Sequence, residues 1–199
     1  MSVRILKAPD TQFSTLSLKI VAFAPEKLFR ISSHLTGEPY FGKSASHRFD
    51  DPDRKYGTCY LGLNLATAVA ESILHDLEPV QGGYNIAADK AASSYVHRFT
   101  GNPIRLADLT GHHLNVLGGH AELFGTWSYD LPMLWSRAVY EHPAAVDGFI
   151  YVSRLLTPNK AVVLFDHGTS LQVIKAKSTA LPQSAAFRKV ESDLNIRYV

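Results

Sequence analysis

Two segments with a helical repeat of apolar residues lie among short strand-like segments, and this order limits the folds open to the chain. The helical segments are residues 65–77, with Asn64 as N-cap, and residues 131–140, capped by Asp130 and with Pro132 in the first turn. Short apolar runs bounded by turn residues predict strands at 18–23, 28–33, 58–61, 95–99, 104–106, 148–154, 161–165 and 171–176. Strands early, helices between and strands late predict an α+β fold.

The length and composition favour one folded domain. The 199 residues can bury a core that needs neither a disulfide bond nor a metal ion. Apolar residues make up 46% of the chain and charged residues 19%, which excludes extensive disorder. Cys59 is the single cysteine, so no intrachain disulfide can form. We therefore predict a single domain over residues 1–199.

The charge balance argues against a nucleic-acid-binding protein. The 20 Lys and Arg residues nearly equal the 18 Asp and Glu residues, and no cluster of basic residues is present. Residues 1–13 lack the apolar stretch of a signal peptide, and no apolar run approaches the roughly 18 residues that a membrane span requires. A lone cysteine fits a reducing compartment. We expect a cytoplasmic protein that binds neither nucleic acid nor membrane.

Several segments carry no clear pattern. Residues 36–55 are polar and rich in turn residues, and long irregular loops of this kind are often functional. Residues 81–90 resemble a loop, and the last 20 or so residues resemble a packed tail. The histidines at 112, 113 and 120 lack the spacing of metal ligands, so no metal site is predicted. Trp127 and Trp135 are expected in the core or in the walls of a pocket.

Two arginines suggest an anion site. Arg30 lies within the apolar strand LFRIS, and Arg48 lies in the irregular loop. A guanidinium forms bidentate hydrogen bonds with phosphate oxygens, and two arginines near one pocket indicate phosphate more strongly than one. The alternative is that both arginines are solvated on the surface.

A glutamate and a serine interrupt the apolar pattern elsewhere. Glu71 lies off the apolar stripe of the first helix, where it could pair with His75 at i+4 or face a cleft. Ser153 and Arg154 follow an apolar strand, and the serine could simply cap it or face water. Tyr60 lies in the short strand before the first helix.

These segments, in this order, resemble the RES-domain family, which is named for its Arg, Glu and Ser. The family comprises toxins of bacterial toxin–antitoxin pairs, encoded beside an antitoxin with an Xre-type helix-turn-helix. The resemblance extends over residues 28–155, and strands and a tail at 159–199 complete the domain. The segments that carry it are LFRIS (28–32), SHRFDDP (46–52), CYLG (59–62), AVAESIL (68–74) and DGFIYVSRL (147–155).

The resemblance implies an ADP-ribosyltransferase-like fold, a split mixed β-core with flanking helices and a cleft for NAD⁺. By position, the family's arginine falls on Arg30, its glutamate on Glu71 and its serine on Ser153, and these are the predicted catalytic residues. Arg30, Arg48, Tyr60 and Ser153 are the predicted NAD⁺-binding residues. NAD⁺ is implied as the substrate, with no separate cofactor.

The resemblance leaves three functions open. The first is depletion of NAD⁺ by hydrolysis or phosphorolysis of the nicotinamide–ribose bond, which would arrest growth. The second is transfer of ADP-ribose to a cellular protein, and the third is a module that binds a partner without catalysis. Ser153 would bond the ribose or position Glu71, and Tyr60 would stack on a ring or bound the pocket. The expected partner is the cognate antitoxin, and a homodimer is left open.

Overall fold

An eight-stranded sheet forms the centre of the computed structural model, which describes residues 5–167 and 173–199. The strands of the described residues are β1 (Ile20–Phe23), β2 (Phe29–Ser32), β3 (Thr58–Gly62), β4 (Tyr84–Ile86), β5 (Tyr95–Gly101), β6 (Ile104–Asp108), β7 (Gly148–Val152), β8 (Lys160–Phe165), β9 (Val173–Ala180) and β10 (Ile196–Tyr198). The large sheet has the order β1-β6-β7-β8-β3-β2-β5-β9, and β10 pairs with β4 separately.

The pairing within the large sheet is antiparallel except between β6 and β7, which run parallel with Leu106 opposite Gly148. The small β4–β10 sheet is also parallel. A mostly antiparallel sheet with helices packed against it confirms the predicted α+β class.

Short helices surround the sheet. They are α1 (Leu65–Val69), α2 (Ala88–Ala92), α3 (Gly111–Val116), α4 (Glu122–Gly125), α5 (Asp130–Tyr140) and α6 (Ala185–Asp193). Helix α1 continues directly into one π-helical turn, Ala70–Leu74. In the described part of the chain, no helix combines the length and apolar character required to cross a bilayer.

The sheet is buried on both faces at its centre. Alternate residues of a strand point to opposite faces, and in β7 Phe149 packs in one apolar cluster while Ile150 packs in another. Helix α5 contributes Trp135 and Val139 to the cluster of Phe149. The strands β7 and β8 are therefore held rigidly, which matters because β7 leads into the polar residues of the site.

Most predicted elements are confirmed, and the differences are local. The strands predicted at 18–23, 28–33, 58–61, 95–99, 104–106, 148–154 and 161–165 all coincide with or overlap observed strands, and the helix at 131–140 is present. Residues 171–172 of the predicted strand 171–176 lie outside the described residues, and the rest lies in β9.

Three expectations are wrong. The helix predicted at 65–77 ends its regular α-helical part at Val69 and its π-helical turn at Leu74. The segment expected to be a loop at 81–90 contains β4 and most of α2, and the expected tail contains α6 and β10. Among the described residues, strand β4 pairs only with β10, more than a hundred residues later, so nothing local in the sequence signals it.

Helix α1 lies unusually close to the end of β3. A Cβ atom on Gly62 would lie 2.3 Å from the Ala68 nitrogen and 2.6 Å from the Asn64 carbonyl oxygen. The Asn64 side chain accepts a hydrogen bond from the Thr67 nitrogen at 2.8 Å and so caps α1. This close approach fixes where α1 begins and hence where the π-helical turn lies.

We expect Gly62→Ala to lower the free energy of unfolding by more than about 2 kcal/mol, because the new methyl group meets backbone atoms that cannot move aside. Urea denaturation measures the change. Gly125→Ala is the matched control, since a Cβ there meets nothing within 4 Å, and its effect should stay below about 0.5 kcal/mol. Equal effects of the two substitutions would contradict the close packing of α1 on β3.

Candidate functional site

A cleft of about 630 Å³ opens beside the π-helical turn. Its volume lies within the range of small-molecule sites, roughly 300–1,000 Å³. Its walls come from β2, β3, the irregular β2–β3 loop, the π-helical turn, α4 and the end of β7. The polar and charged side chains among them are Arg30, Tyr40, Lys43, Ser44, His47, Arg48, Asp50, Thr58, Tyr60, Glu71, Ser72, His75, Tyr129, Tyr151 and Arg154.

The carboxylate of Glu71 is held by two hydroxyl groups. The Tyr151 hydroxyl donates to Oε2 at 2.6 Å, and the Ser153 hydroxyl donates to Oε1 at 2.6 Å. Hydrogen bonds of this length to a carboxylate are charge-assisted and strong. Burial and the Glu71 charge raise the pKa of Tyr151 well above its usual value, which keeps the phenol protonated as a donor. The carboxylate therefore has one fixed orientation at the cleft wall.

Ser153 lies behind Glu71. Ser153 is fully buried and is not among the residues that line the cleft. Of the two roles considered for it, this geometry favours positioning of Glu71 over contact with a ligand. The pairing of Glu71 with His75 is wrong, because the His75 imidazole lies 2.8 Å from the Asp76 carboxylate instead.

Arg30 lines the cleft, and two hydrogen bonds fix its side chain. Its Nε donates to Glu38 Oε2 at 2.7 Å, and its Nη1 donates to the Tyr60 carbonyl oxygen at 3.0 Å. Burial lowers the pKa of Arg30, but the neighbouring Cys59 and Glu38 raise it by more, so the guanidinium stays charged. The Glu38 side chain is fully buried, and its Oε1 accepts no hydrogen bond within the described part of the chain. Oε2 also accepts from the Tyr40 nitrogen at 2.8 Å, so Glu38 holds both Arg30 and the backbone of the β2–β3 loop.

Arg48 and Arg154 are held by neutral groups. Arg48 donates to the Thr126 carbonyl oxygen at 2.6 Å and lies 4.8 Å from the centre of the Tyr129 ring. Arg154 donates to the His75 carbonyl oxygen at 2.9 Å. No carboxylate of residues 5–167 and 173–199 forms an ion pair with either guanidinium.

The charges of Arg48 and Arg154 affect each other. Burial lowers the pKa of Arg48, the charge of Arg154 lowers it further, and the Glu71 charge acts in the opposite direction. Two like charges held without counter-ions at one cavity make that wall attractive to an anion such as a phosphate group.

Tyr60 bounds the cleft with its ring and anchors the irregular loop with its hydroxyl. The hydroxyl donates to Asp50 Oδ1 at 3.1 Å and accepts from the Phe49 nitrogen at 2.9 Å. Asp50 is itself buried and accepts from the backbone nitrogens of Ser46 and His47, both at 3.1 Å. The loop that carries Arg48 is therefore ordered by side-chain hydrogen bonds, although it contains little regular structure.

The site contains residues that the sequence interpretation did not select. Tyr151 could have been found, because it lies two residues before Ser153 on a strand and so shares its face. Glu38 and Tyr129 lie in segments without a local pattern, and nothing in the sequence pairs them with arginines. Among the described residues, no group of three or more His, Cys, Asp or Glu side chains is arranged to hold a metal ion.

Comparison with known proteins gives one family and one fold. A family model described as "RES domain" matches residues 27–184, a range that contains every predicted site residue. A chain of the crystal structure of the M. tuberculosis MbcT–MbcA toxin–antitoxin complex has a similar fold, with a TM-score of 0.65 and 12% sequence identity. The match covers 87% of this chain and 92% of that chain. No curated protein matches this chain.

We expect Glu38→Gln to lower the free energy of unfolding by about 3 kcal/mol, because it leaves the Arg30 charge without its buried partner. Urea denaturation at neutral pH measures the loss. Asp193→Asn is the matched control, since Asp193 pairs with Lys189 on the surface, where an ion pair contributes at most about 0.5 kcal/mol. A loss for Glu38→Gln no larger than that of the control would mean that Glu38 does not hold Arg30.

Proposed function

We propose a toxin function for this chain, which belongs to the RES-domain family. The toxin would be one member of a toxin–antitoxin pair, and its partner an antitoxin with an Xre-type helix-turn-helix. It would act by breaking the nicotinamide–ribose bond of NAD⁺, which depletes the dinucleotide and arrests growth. One observation carries this proposal: a carboxylate fixed by two hydroxyl groups at the wall of a cleft that also presents three arginines.

The reaction needs the charge that Glu71 supplies. When the bond between the ribose C1′ and the nicotinamide nitrogen breaks, both electrons leave with nicotinamide and positive charge develops on the ribose. A carboxylate held beside the ribose stabilises that charge. It costs no reorganisation energy during the reaction, because its orientation is already fixed. Nicotinamide leaves as a neutral ring, so no acid is required to protonate it.

The hydroxyl groups of Tyr151 and Ser153 would act through Glu71. Each donates to one carboxylate oxygen, and each oxygen keeps a further lone pair for a ribose hydroxyl. Tyr151 also lines the cleft, whereas Ser153 does not. We therefore assign Ser153 to positioning.

The arginines would hold the diphosphate of NAD⁺. Arg48 and Arg154 have no carboxylate partner within the described residues, so phosphate oxygens would be their counter-ions. Arg30 keeps its Glu38 partner and offers its remaining nitrogen to the same ligand. A diphosphate held at fixed points orients the ribose toward the carboxylate, and such positioning lowers the barrier. Tyr60 would bound the cleft and keep the Arg48 loop in place.

The acceptor in this proposal is water or inorganic phosphate, either of which would form a bond to the ribose C1′. A protein side chain is the alternative acceptor at the same site and would make the chain an ADP-ribosyltransferase. A partner-binding module without catalysis is the least favoured function. Binding a partner does not require a carboxylate that is fixed in one orientation inside a cationic cleft.

We expect the purified protein to convert NAD⁺ to nicotinamide and an ADP-ribose product, and Glu71→Gln to lower kcat by roughly 10²–10³-fold, because the neutral amide cannot offset the ribose charge. Chromatography of the nucleotides measures both. Glu78→Gln is the matched control, since Glu78 is exposed a few residues farther on and does not line the cleft; its kcat should equal that of the wild type.

The same assay separates the acceptors. Phosphorolysis gives a phosphorylated ADP-ribose only in phosphate buffer, and hydrolysis gives free ADP-ribose in either buffer. Transfer to a protein leaves labelled ADP-ribose on a protein band. Intact NAD⁺ in both buffers with no labelled protein would contradict an enzymatic function.

A further inference from the structure

Trp127 lies on the surface beside the cleft, with 82% of its surface exposed. Trp127 was expected either in the core or in the wall of a pocket, and the first of these is wrong. Trp135 is buried as expected. Trp127 belongs to residues 126–129, the short segment that joins α4 to α5. It does not line the cleft directly.

One face of the Trp127 indole is covered by a cleft residue. The Arg154 guanidinium carbon lies 4.9 Å from the ring centre, and Arg154 lines the cleft. Because so much of the side chain is exposed, the opposite face is open. The indole is therefore an exposed aromatic surface in contact with an arginine of the cleft wall.

Residues 126–129 also hold Arg48, the other arginine of the cleft without a carboxylate partner within the described residues. The Thr126 carbonyl oxygen accepts from Arg48, and the Tyr129 ring lies against the Arg48 guanidinium. Residues 126–129 thus contact both arginines of the cleft that lack a carboxylate partner within the described residues. A ligand anion bound between Arg48 and Arg154 would therefore lie beside residues 126–129, in which Trp127 is an exposed ring.

We propose that Trp127 is the adenine-stacking residue of this site and makes it selective for the dinucleotide. The inference rests on the proposed function, because it takes NAD⁺ as the ligand. NAD⁺ carries a planar ring on each side of its diphosphate. With the nicotinamide ribose at Glu71 and the diphosphate on Arg48 and Arg154, the adenine extends beyond the diphosphate, where Trp127, in contact with Arg154, can stack on it. Nucleic-acid bases stack readily on exposed aromatic rings, and an arginine behind the ring adds to the attraction.

An exposed tryptophan can also anchor a protein partner, since tryptophan is frequent at interaction hot spots. The contacts of Trp127 favour the nucleotide. Its packing partner is a cleft arginine, and its neighbours Thr126 and Tyr129 hold the other arginine of the cleft. Binding of a protein partner through Trp127 is the alternative that the first experiment tests.

The first experiment measures selectivity. We expect Trp127→Ala to lower the ratio of kcat/KM for NAD⁺ to kcat/KM for nicotinamide mononucleotide, which lacks the AMP part, by roughly 5- to 150-fold. The loss should lie in KM for NAD⁺, and Trp127→Phe should recover most of it. Tyr198→Ala is the control, because Tyr198 is also an exposed aromatic residue but lies in β10 and not at the cleft. An unchanged ratio in Trp127→Ala, with or without a weaker antitoxin complex, would overturn the proposal.

The second experiment needs no turnover. The chain contains two tryptophans, and Trp135 is only 2% exposed, so quenching by a stacked base reports on Trp127. ADP-ribose should quench the emission of the wild type and have no such effect on Trp127→Phe. If NAD⁺ is not cleaved, quenching lost in Trp127→Phe still supports an adenine-stacking site, and the proposed reaction alone fails. Equal quenching in both proteins would overturn the stacking role.

Discussion

The pair of hydrogen bonds from Tyr151 and Ser153 to Glu71 connects the sheet to the site. It exists because of the sheet order: β7, β8 and β3 are neighbours, and β3 leads straight into α1 and the π-helical turn. The turn therefore lies over the end of β7, within reach of its hydroxyl groups. A widened helical turn of this type is frequent at functional sites. The close approach of α1 to Gly62 keeps the carboxylate in register with its donors.

The cations around the cleft are held in two different ways. Arg30 is neutralised by a buried carboxylate, whereas Arg48 and Arg154 are held by carbonyl oxygens and aromatic rings. Neutral partners fix the position of a guanidinium and leave its charge available, so the second pair remains free to attract an anion. Together with Glu71, this gives the cleft a fixed carboxylate and a set of cations whose charge is available, an arrangement suited to a ligand that carries phosphates at one end and develops positive charge at the other.

Much of the fold was accessible from the sequence, since the central strands and α5 show clear apolar patterns. The elements that were missed depend on distant partners. Strand β4 needs β10, and α6 buries only Phe187 and Val190, too few for a helical repeat to stand out. The same holds for the site. The predicted site residues came from the resemblance to the RES-domain family, and Arg30, Arg48, Tyr60 and Glu71 do line one cleft. The bond from Arg48 to the Thr126 carbonyl oxygen joins residues 78 positions apart, and no local pattern reports such a contact.

The central claim is that the Glu71 carboxylate faces the ribose of a bound dinucleotide. A crystal structure of Glu71→Gln with NAD⁺ tests it directly, because the variant should bind the substrate and turn it over very slowly. The account predicts the nicotinamide ribose within hydrogen-bonding distance of residue 71 and the diphosphate against Arg48 and Arg154. A dinucleotide bound outside this cleft, or bound within it with the ribose directed away from residue 71, would contradict the account.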